Sequence, residues 1–172
     1  MKGPVTIRRF AEADAAAVRD LFVRINRLLA PPQQRAAFED YIALSVTEEI
    51  GRIKAYYADR GGAFFVAGDA GRMAGMFGLE RVSDEAMELR RMYVEPALRR
   101  RGIARAMLAF AEHECARRGF GKLELSTSEL QQEALAFYRH AGYTLEREEV
   151  AAAATNKTVG GGIRRFYFSK RV

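Results

Sequence analysis

Residues 94–108 read VEPALRRRGIARAML, and the arginines Arg99, Arg100 and Arg101 stand directly before Gly102. Three adjacent like charges repel one another unless an anion neutralises them. The apolar residues after the glycine recur with the spacing of an amphipathic helix, and the residues before this stretch have the composition of a strand. The sequence therefore predicts a strand, an arginine-rich loop and the first turn of a helix, in that order.

The predicted loop and helix start are suited to phosphate. The N–H groups of a helix's first turn have no partners within the helix, and the aligned peptide dipoles make that end positive. Gly102 would let a phosphate approach the backbone, Ala104 keeps a nearby position small, and the arginines add charge-assisted hydrogen bonds. We expect a diphosphate to bind here; the alternative is an arginine cluster that faces only water.

The composition is that of a folded globular protein. The chain has 172 residues, of which 49% are apolar and 29% charged, and we expect residues 1–172 to form a single domain. No apolar run reaches the roughly 18 residues of a membrane-spanning helix, and the first residues lack the apolar stretch of a secretory signal. Cys115 is the only cysteine, so neither an internal disulfide nor a cysteine metal site is predicted. These features predict a cytoplasmic protein with no bound metal and no membrane partner.

The net charge of +6 comes mostly from arginine, and such a surplus attracts phosphorylated cofactors, nucleic acid and anionic lipid. For most of the arginine pairs we favour a solubilising surface role, because only Arg99 to Arg101 coincide with a predicted helix N-terminus that could bind phosphate. The other pairs are Arg8-Arg9, Arg90-Arg91, Arg117-Arg118 and Arg164-Arg165. No nucleic-acid-binding motif accompanies them, so the charge alone does not favour nucleic acid as a partner.

Hydrophobic periodicity and turn residues predict the remaining elements. After a first strand, VTIRRF, a helix ends at Pro31-Pro32 and a second helix covers about residues 33–58. Three strand-like runs precede the arginine loop. Its helix is followed by the strand KLELST, a short helix that begins at Ser128 with Gln131 as capping partner, and two final strands. The connection between those last strands, AAAATNKTVGGG at residues 151–162, is glycine-rich, and we expect it to be mobile.

Two stretches resemble one enzyme family. LRRMYVEPALRRRGIARAML at residues 89–108, followed by ALAFYRHAGY at residues 134–143, resembles the Gcn5-related N-acetyltransferase (GNAT) family. The resemblance is strongest from Glu88 to Tyr143. It implies an α/β (α+β) fold of one domain, with a mixed, mostly antiparallel twisted sheet of about seven strands flanked by about four helices.

The resemblance also implies a cosubstrate, acetyl-CoA. In the family the pattern Q/R-x-x-G-x-G/A binds the pyrophosphate, and Arg99, Gly102 and Ala104 stand at its fixed positions. The end of the preceding strand matches the segment whose backbone pairs with the pantetheine arm. An asparagine of the family is replaced by Gln131, whose amide either contacts the cosubstrate or only caps the helix. The residues assigned to acetyl-CoA binding are Met92, Tyr93, Val94, Arg99, Arg100, Arg101, Gly102, Ile103, Ala104, Arg105 and Gln131.

The same resemblance implies two catalytic residues. Tyr138 matches a tyrosine that donates a proton to the leaving thiolate; the alternative is a tyrosine of the core. Because a phenol with a pKa of about 10 is a weaker acid than a thiol with a pKa of about 8.5, we favour a hydrogen bond over full transfer. Glu88 matches a catalytic glutamate that takes a proton from the amine, directly or through water. The alternatives are a glutamate paired with a cross-strand arginine, or Glu80 as the base.

The expected function is transfer of an acetyl group from acetyl-CoA to a primary amine by direct attack in a ternary complex. The alternatives are a non-catalytic module that binds acyl-CoA, and an acetyltransferase that acts on an RNA-linked or protein amine. The expected partners are acetyl-CoA and a small-molecule or peptide amine, for a monomer or a homodimer. The identity of the acceptor stays open at this stage.

Overall fold

A computed structural model describes residues 3–172, which form five α-helices and seven β-strands. The helices are α1 (Ala15–Leu29), α2 (Arg35–Glu48), α3 (Ile53–Asp59), α4 (Ile103–Arg117) and α5 (Gln132–His140). The strands are β1 (Thr6–Arg9), β2 (Ala63–Asp69), β3 (Arg72–Arg81), β4 (Ala86–Val94), β5 (Lys122–Ser128), β6 (Thr144–Ala151) and β7 (Ile163–Arg171). Within residues 3–172, every helix is too short or too polar to span a lipid bilayer.

The strands form one sheet in the order β1-β2-β3-β4-β5-β7-β6. Each neighbouring pair is antiparallel except β4 and β5, which run parallel and are joined by α4. A parallel pair needs such a crossover, whereas antiparallel neighbours such as β2 and β3 can be joined by a tight turn. The expected fold class, a mixed and mostly antiparallel sheet with flanking helices, is confirmed.

Helices cover both faces of the sheet, and the alternation of apolar side chains along the strands separates the two faces. On β2, Phe64 and Val66 pack against α1, α2 and α3, whereas Phe65 and Ala67 pack on the opposite face with α4. Successive strand residues point to opposite faces, so a continuous apolar run such as AFFVA serves both cores. The sheet therefore separates a face covered by α4 and α5 from a face covered by α1, α2 and α3.

The second predicted helix, residues 33–58, is divided into α2 and α3 by a 3₁₀ turn at Ile50–Arg52. Glu49 leaves the helical conformation, with φ −134° and ψ −64°, and its side chain is fully buried. Gly51 lies so close to the end of α2 that a Cβ would come within 2.7 Å of the Val46 carbonyl oxygen. The helical periodicity of this segment continues through the break, which is why the sequence pattern does not reveal it.

The buried face of β3 predicts the effect of truncating its side chains. Leu79 is completely inaccessible to solvent, whereas Leu28 on α1 is 71% exposed. We expect Leu79→Ala to lower the free energy of unfolding by about 2–5 kcal/mol, because it removes buried methyl groups and leaves a cavity. The matched change Leu28→Ala should alter it by less than about 0.5 kcal/mol. Urea unfolding of both variants measures this difference, and equal losses would contradict the packing described here.

Candidate active site

Strands β4 and β5 separate halfway along their length. They pair in register only from Ala86 with Lys122 to Leu89 with Leu125. Beyond Leu89, β4 carries a bulge: Gly78 of β3 lies opposite Arg90 and Met76 opposite Tyr93, so β4 has one residue more than β3 in this interval. A bulge bends its strand and disrupts the local ladder. The two parallel strands consequently diverge and leave an open cleft between them.

A cavity of about 660 Å³ occupies this cleft and extends to α1 and α2 on one side and to the arginine loop on the other. The structure brings most of the sequence-predicted residues to its wall. Those that line it are Glu88, Met92, Tyr93, Val94, Arg99, Arg100, Ala104, Gln131 and Tyr138. Residues far apart in the chain thus meet at one site.

The arginine loop ends at Gly102, the residue that precedes α4. Its φ of +83° is in the left-handed region, which favours glycine, and a Cβ on it would meet no atom within 4 Å. Within residues 3–172, neither Arg99 nor Arg100 has a carboxylate at ion-pair distance. Two unneutralised guanidinium groups and the first turn of a 15-residue helix therefore face the same end of the cavity.

Three predicted side chains in this loop and helix do not line the cavity. Arg101 instead forms an ion pair with Asp69, with 3.0 Å between Nη1 and Oδ2. Ile103 is buried in the core beneath α4, and Arg105 is exposed to solvent. Only the backbone of these residues is left to contribute at the helix N-terminus.

Tyr138 on α5 lies at the cavity wall, packed against Phe137, Tyr143 and Phe168 with ring centroids 5.3 to 6.4 Å away. Its hydroxyl forms no hydrogen bond with another residue of the described chain, 3–172. Burial raises the pKa of Tyr138, and the neighbouring Tyr93 adds to this effect. The phenol is therefore a protonated donor that has no partner in the protein.

Gln131 immediately precedes α5 but does not cap it as predicted. Its Oε1 accepts a hydrogen bond from the Thr127 hydroxyl at 3.0 Å, and α5 begins at Gln132 rather than at Ser128. Ser128 is the last residue of β5, and its hydroxyl accepts a hydrogen bond from the Leu130 N–H. The predicted capping box with Ser128 is wrong: Gln131 is the N-cap residue of α5, but its side chain makes no capping hydrogen bond and lies at the cavity wall.

The partner of Glu88 is a lysine rather than a cross-strand arginine, because Arg90 lies on the same strand as Glu88. The Lys157 ammonium lies 3.1 Å from Glu88 Oε2 and 3.1 Å from Glu80 Oε1, while Arg90 Nε is 3.9 Å from Glu88. Burial alone would raise the pKa of Glu80, but Arg90 and Lys157 outweigh it and hold that pKa below its usual value. Glu80 therefore stays ionised and does not line the cavity, whereas Glu88 is the carboxylate of β4 that does.

The sequence analysis missed a buried ionic cluster next to this site. Arg90 and Arg91, which we expected at the surface, each expose only 4% of their side chains. Glu49 accepts from Arg90 Nη2 at 2.7 Å and from Arg91 Nε at 3.0 Å, and it also accepts from the Tyr57 hydroxyl at 2.8 Å. Charged groups this deep in a protein are found paired, because the loss of hydration is costly.

The segment predicted to be mobile, residues 151–162, is attached to this cluster. The Asn156 carbonyl accepts hydrogen bonds from Arg91 and, at 3.2 Å, from Arg90 Nη2. The Asn156 side chain donates to the Tyr56 hydroxyl at 3.2 Å. The segment is thus held at its middle, and its residues Lys157–Gly160 form one wall of the cavity.

The chain resembles known proteins in sequence. A model of the acetyltransferase (GNAT) family matches residues 18–143. N-acetyltransferase family 8 member 3 of Rattus norvegicus is 32% identical over 112 residues, which are 62% of this chain and 49% of that protein. The chain spans about half the length of the curated relatives it matches.

Two solved structures share the fold over almost the whole chain. A GNAT acetyltransferase from Staphylococcus aureus Mu50 superposes with a TM-score of 0.74 at 15% identity, covering 98% of this chain and 99% of that one. Spermidine N-acetyltransferase from Vibrio cholerae, in complex with CoA and spermine, superposes with a TM-score of 0.70 at 17% identity, covering 97% and 95%. On the strength of its sequence from residue 18 to residue 143, this chain belongs to the acetyltransferase (GNAT) family.

Proposed function

We propose that the protein is an N-acetyltransferase that moves an acetyl group from acetyl-CoA to a primary amine by direct attack in a ternary complex. We also propose that residues 1–172 act as a single catalytic domain. The observation that carries the proposal is the position of the arginine loop. Two unneutralised arginines and the first turn of α4, which follows the left-handed Gly102, line the cleft between β4 and β5.

The phosphate end of acetyl-CoA would bind at this loop. Arg99 and Arg100 supply two guanidinium groups, and the N–H groups of the first turn of α4 supply donors that have no helical partner. A diphosphate carries the negative charge that would neutralise these two arginines. The glycine leaves the approach to the backbone open, because no side chain extends from Gly102.

The pantetheine arm would lie along β4. Pairing with β5 stops at Leu89, so the backbone of Met92, Tyr93 and Val94 has no strand partner on the side of the cleft. An arm that contains amide groups can bond to such an unpaired strand edge as an added strand does. The thioester would then lie near the bulge, between Tyr138 and the acceptor side of the cavity.

Tyr138 would stabilise the leaving thiolate by a hydrogen bond. Its raised pKa makes it a poorer acid than an ordinary phenol, so donation of a hydrogen bond is favoured over full proton transfer. Cys115, the only thiol of the chain, is buried in the core, and its pKa is raised by that burial. This supports direct attack by the amine rather than a covalent enzyme intermediate.

Glu88 would accept the proton that the amine loses. In the transfer the C–S bond of the thioester breaks, an N–C bond forms, and the proton passes from nitrogen to the carboxylate, directly or through water. Glu88 is the carboxylate of the β4 wall, and Lys157 holds it in place. Proton transfer by a positioned carboxylate contributes about 10²–10⁴-fold to a rate.

Replacement of Gly102 tests the placement of the diphosphate. We expect Gly102→Glu to abolish measurable acetyl-CoA binding in calorimetry, because it places a carboxylate where the phosphates bind. Gly119 is a matched control: it has a φ of +88°, lies just past the other end of α4 and also has no atom within 4 Å of an added Cβ. Gly119→Glu carries the same backbone strain and should bind acetyl-CoA as the unchanged protein does. Retained affinity in Gly102→Glu would refute the placement.

Removal of a single hydroxyl tests the role of Tyr138. We expect Tyr138→Phe to lower kcat by about 10²-fold while the Kd for acetyl-CoA stays the same, because the hydrogen bond forms only as charge develops on sulfur. Tyr143→Phe is the control, since that hydroxyl donates to Glu112 at 3.0 Å in the same aromatic cluster. A thiol-release assay with a panel of amines measures both. Equal effects of the two substitutions on kcat would show that Tyr138 has only a structural role in the core.

A further inference from the structure

Arg165 is a cation in the cavity wall with no anionic partner. It lies on β7 opposite Ser128 of β5, and its Nη2 donates to the Ser126 hydroxyl at 2.8 Å. Its Nε is shielded from solvent and has no hydrogen-bond partner among residues 3–172. No carboxylate in that part of the chain lies at ion-pair distance from it.

An unsatisfied donor on a charged group is costly, and protein interiors normally avoid it. The cations of the buried ionic cluster beside Arg165 are neutralised. Arg90 and Arg91 bind Glu49, and Lys157 is held by Glu80 and Glu88. The neighbouring Arg164 is exposed and pairs with Glu148 at 3.1 Å. Apart from Arg99 and Arg100 at the phosphate end, Arg165 is thus a guanidinium of the cavity wall whose anion would come from a ligand.

Arg165 and Glu88 lie on the same face of the sheet. On β7, Phe166 and Phe168 pack in the core with α4 and α5. Successive residues of a strand point to opposite faces, so Arg165 points away from this core. Met87 and Leu89 pack in the same core, so Glu88 between them also points away from it. The acceptor side of the cleft thus has a carboxylate on the β4 wall and an unneutralised guanidinium on the β7 wall.

We propose that the acceptor is an amine that also bears a carboxylate, as an amino acid does, with this carboxylate bound by Arg165 and the amine directed toward Glu88. The inference rests on the proposed acetyl transfer, since it names the acceptor class of that reaction. The planar guanidinium of Arg165 lines the cavity, and such a group matches the geometry of a carboxylate. The Ser126 hydroxyl orients the group from behind.

The acceptor side also has apolar side chains. Ile25, Leu29, Phe38 and Val159 line the cavity beyond the two charged walls. An amino acid with an aliphatic side chain fills such a surface, and this choice fixes the probes for the experiment. Leucine carries both charges, leucinamide keeps the amine and the side chain without the carboxylate charge, and 3-methylbutylamine lacks the carboxyl group altogether.

The test compares these three acceptors in the unchanged protein and in two neighbouring variants. We expect kcat/KM for leucine to exceed that for leucinamide and 3-methylbutylamine by about 10- to 100-fold, the contribution of a hydrogen bond to a charged group. Arg165→Gln should remove this preference by lowering kcat/KM for leucine far more than kcat/KM for leucinamide. Arg164→Gln, which changes an exposed arginine one residue away, should keep the preference. A panel of the twenty amino acids, each beside its carboxamide, extends the comparison.

Several results would overturn the inference. One is a panel in which amines lacking a carboxylate are acetylated as well as or better than every amino acid. Another is an Arg165→Gln variant that slows leucine and leucinamide equally. Direct binding of N-acetylleucine and N-acetylleucinamide by calorimetry decides the matter without turnover: equal affinities contradict a carboxylate site at Arg165. If the unchanged protein does not bind acetyl-CoA, by contrast, the proposed acetyl transfer is refuted and the carboxylate site is not.

Discussion

The bidentate pairing of Arg91 with the buried carboxylate of Glu49 is the interaction on which the cleft depends. Arg91 has a φ of +55° in the middle of β4, a conformation that costs a residue with a side chain about 1–2 kcal/mol. Its Nε and Nη2 lie 3.0 and 3.1 Å from the two oxygens of Glu49. These charge-assisted bonds stabilise the bulge. Because the bulge bends β4 away from β5, the space for a cosubstrate and an acceptor follows from this one contact.

The surrounding residues make that buried pair tolerable. Glu49, Glu80 and Glu88 are balanced by Arg90, Arg91 and Lys157, so the cluster carries no net charge. Burial raises the pKa of Tyr57, and its hydroxyl therefore stays protonated and donates to Glu49. Gly78 in the middle of β3 makes room for this tyrosine, because a Cβ there would overlap the phenol. A glycine that weakens a strand is thus required by the ionic cluster behind it.

The features that could be predicted from the sequence are those encoded by a short local pattern. The period-two alternation of β5, the helical stripe of α4 and the arginine loop between β4 and α4 each lie within a short window, and the structure contains all three. The partners of Arg90 and Arg91 do not lie within such a window, because Glu49 lies 42 residues before Arg91 and Asn156 lies 65 residues after it. An arginine pair in a strand has the same local pattern whether it faces water or a carboxylate. One signal in the sequence could have indicated that the arginines are buried: both neighbours of the pair, Leu89 and Met92, are apolar residues of the same strand.

The anchoring of residues 151–162 shows how the acceptor side can vary while the cleft is preserved. Arg90 and Arg91 both bond to the backbone carbonyl of Asn156, an acceptor that every residue type supplies. The side chains that follow this carbonyl, among them Lys157 and Val159, face the cavity. Substitution at these positions alters the charge and shape presented to an acceptor without removing the bond that holds the segment. The guanidinium groups that shape β4 therefore also fix the segment that lines the acceptor side, so one cluster couples the two halves of the site.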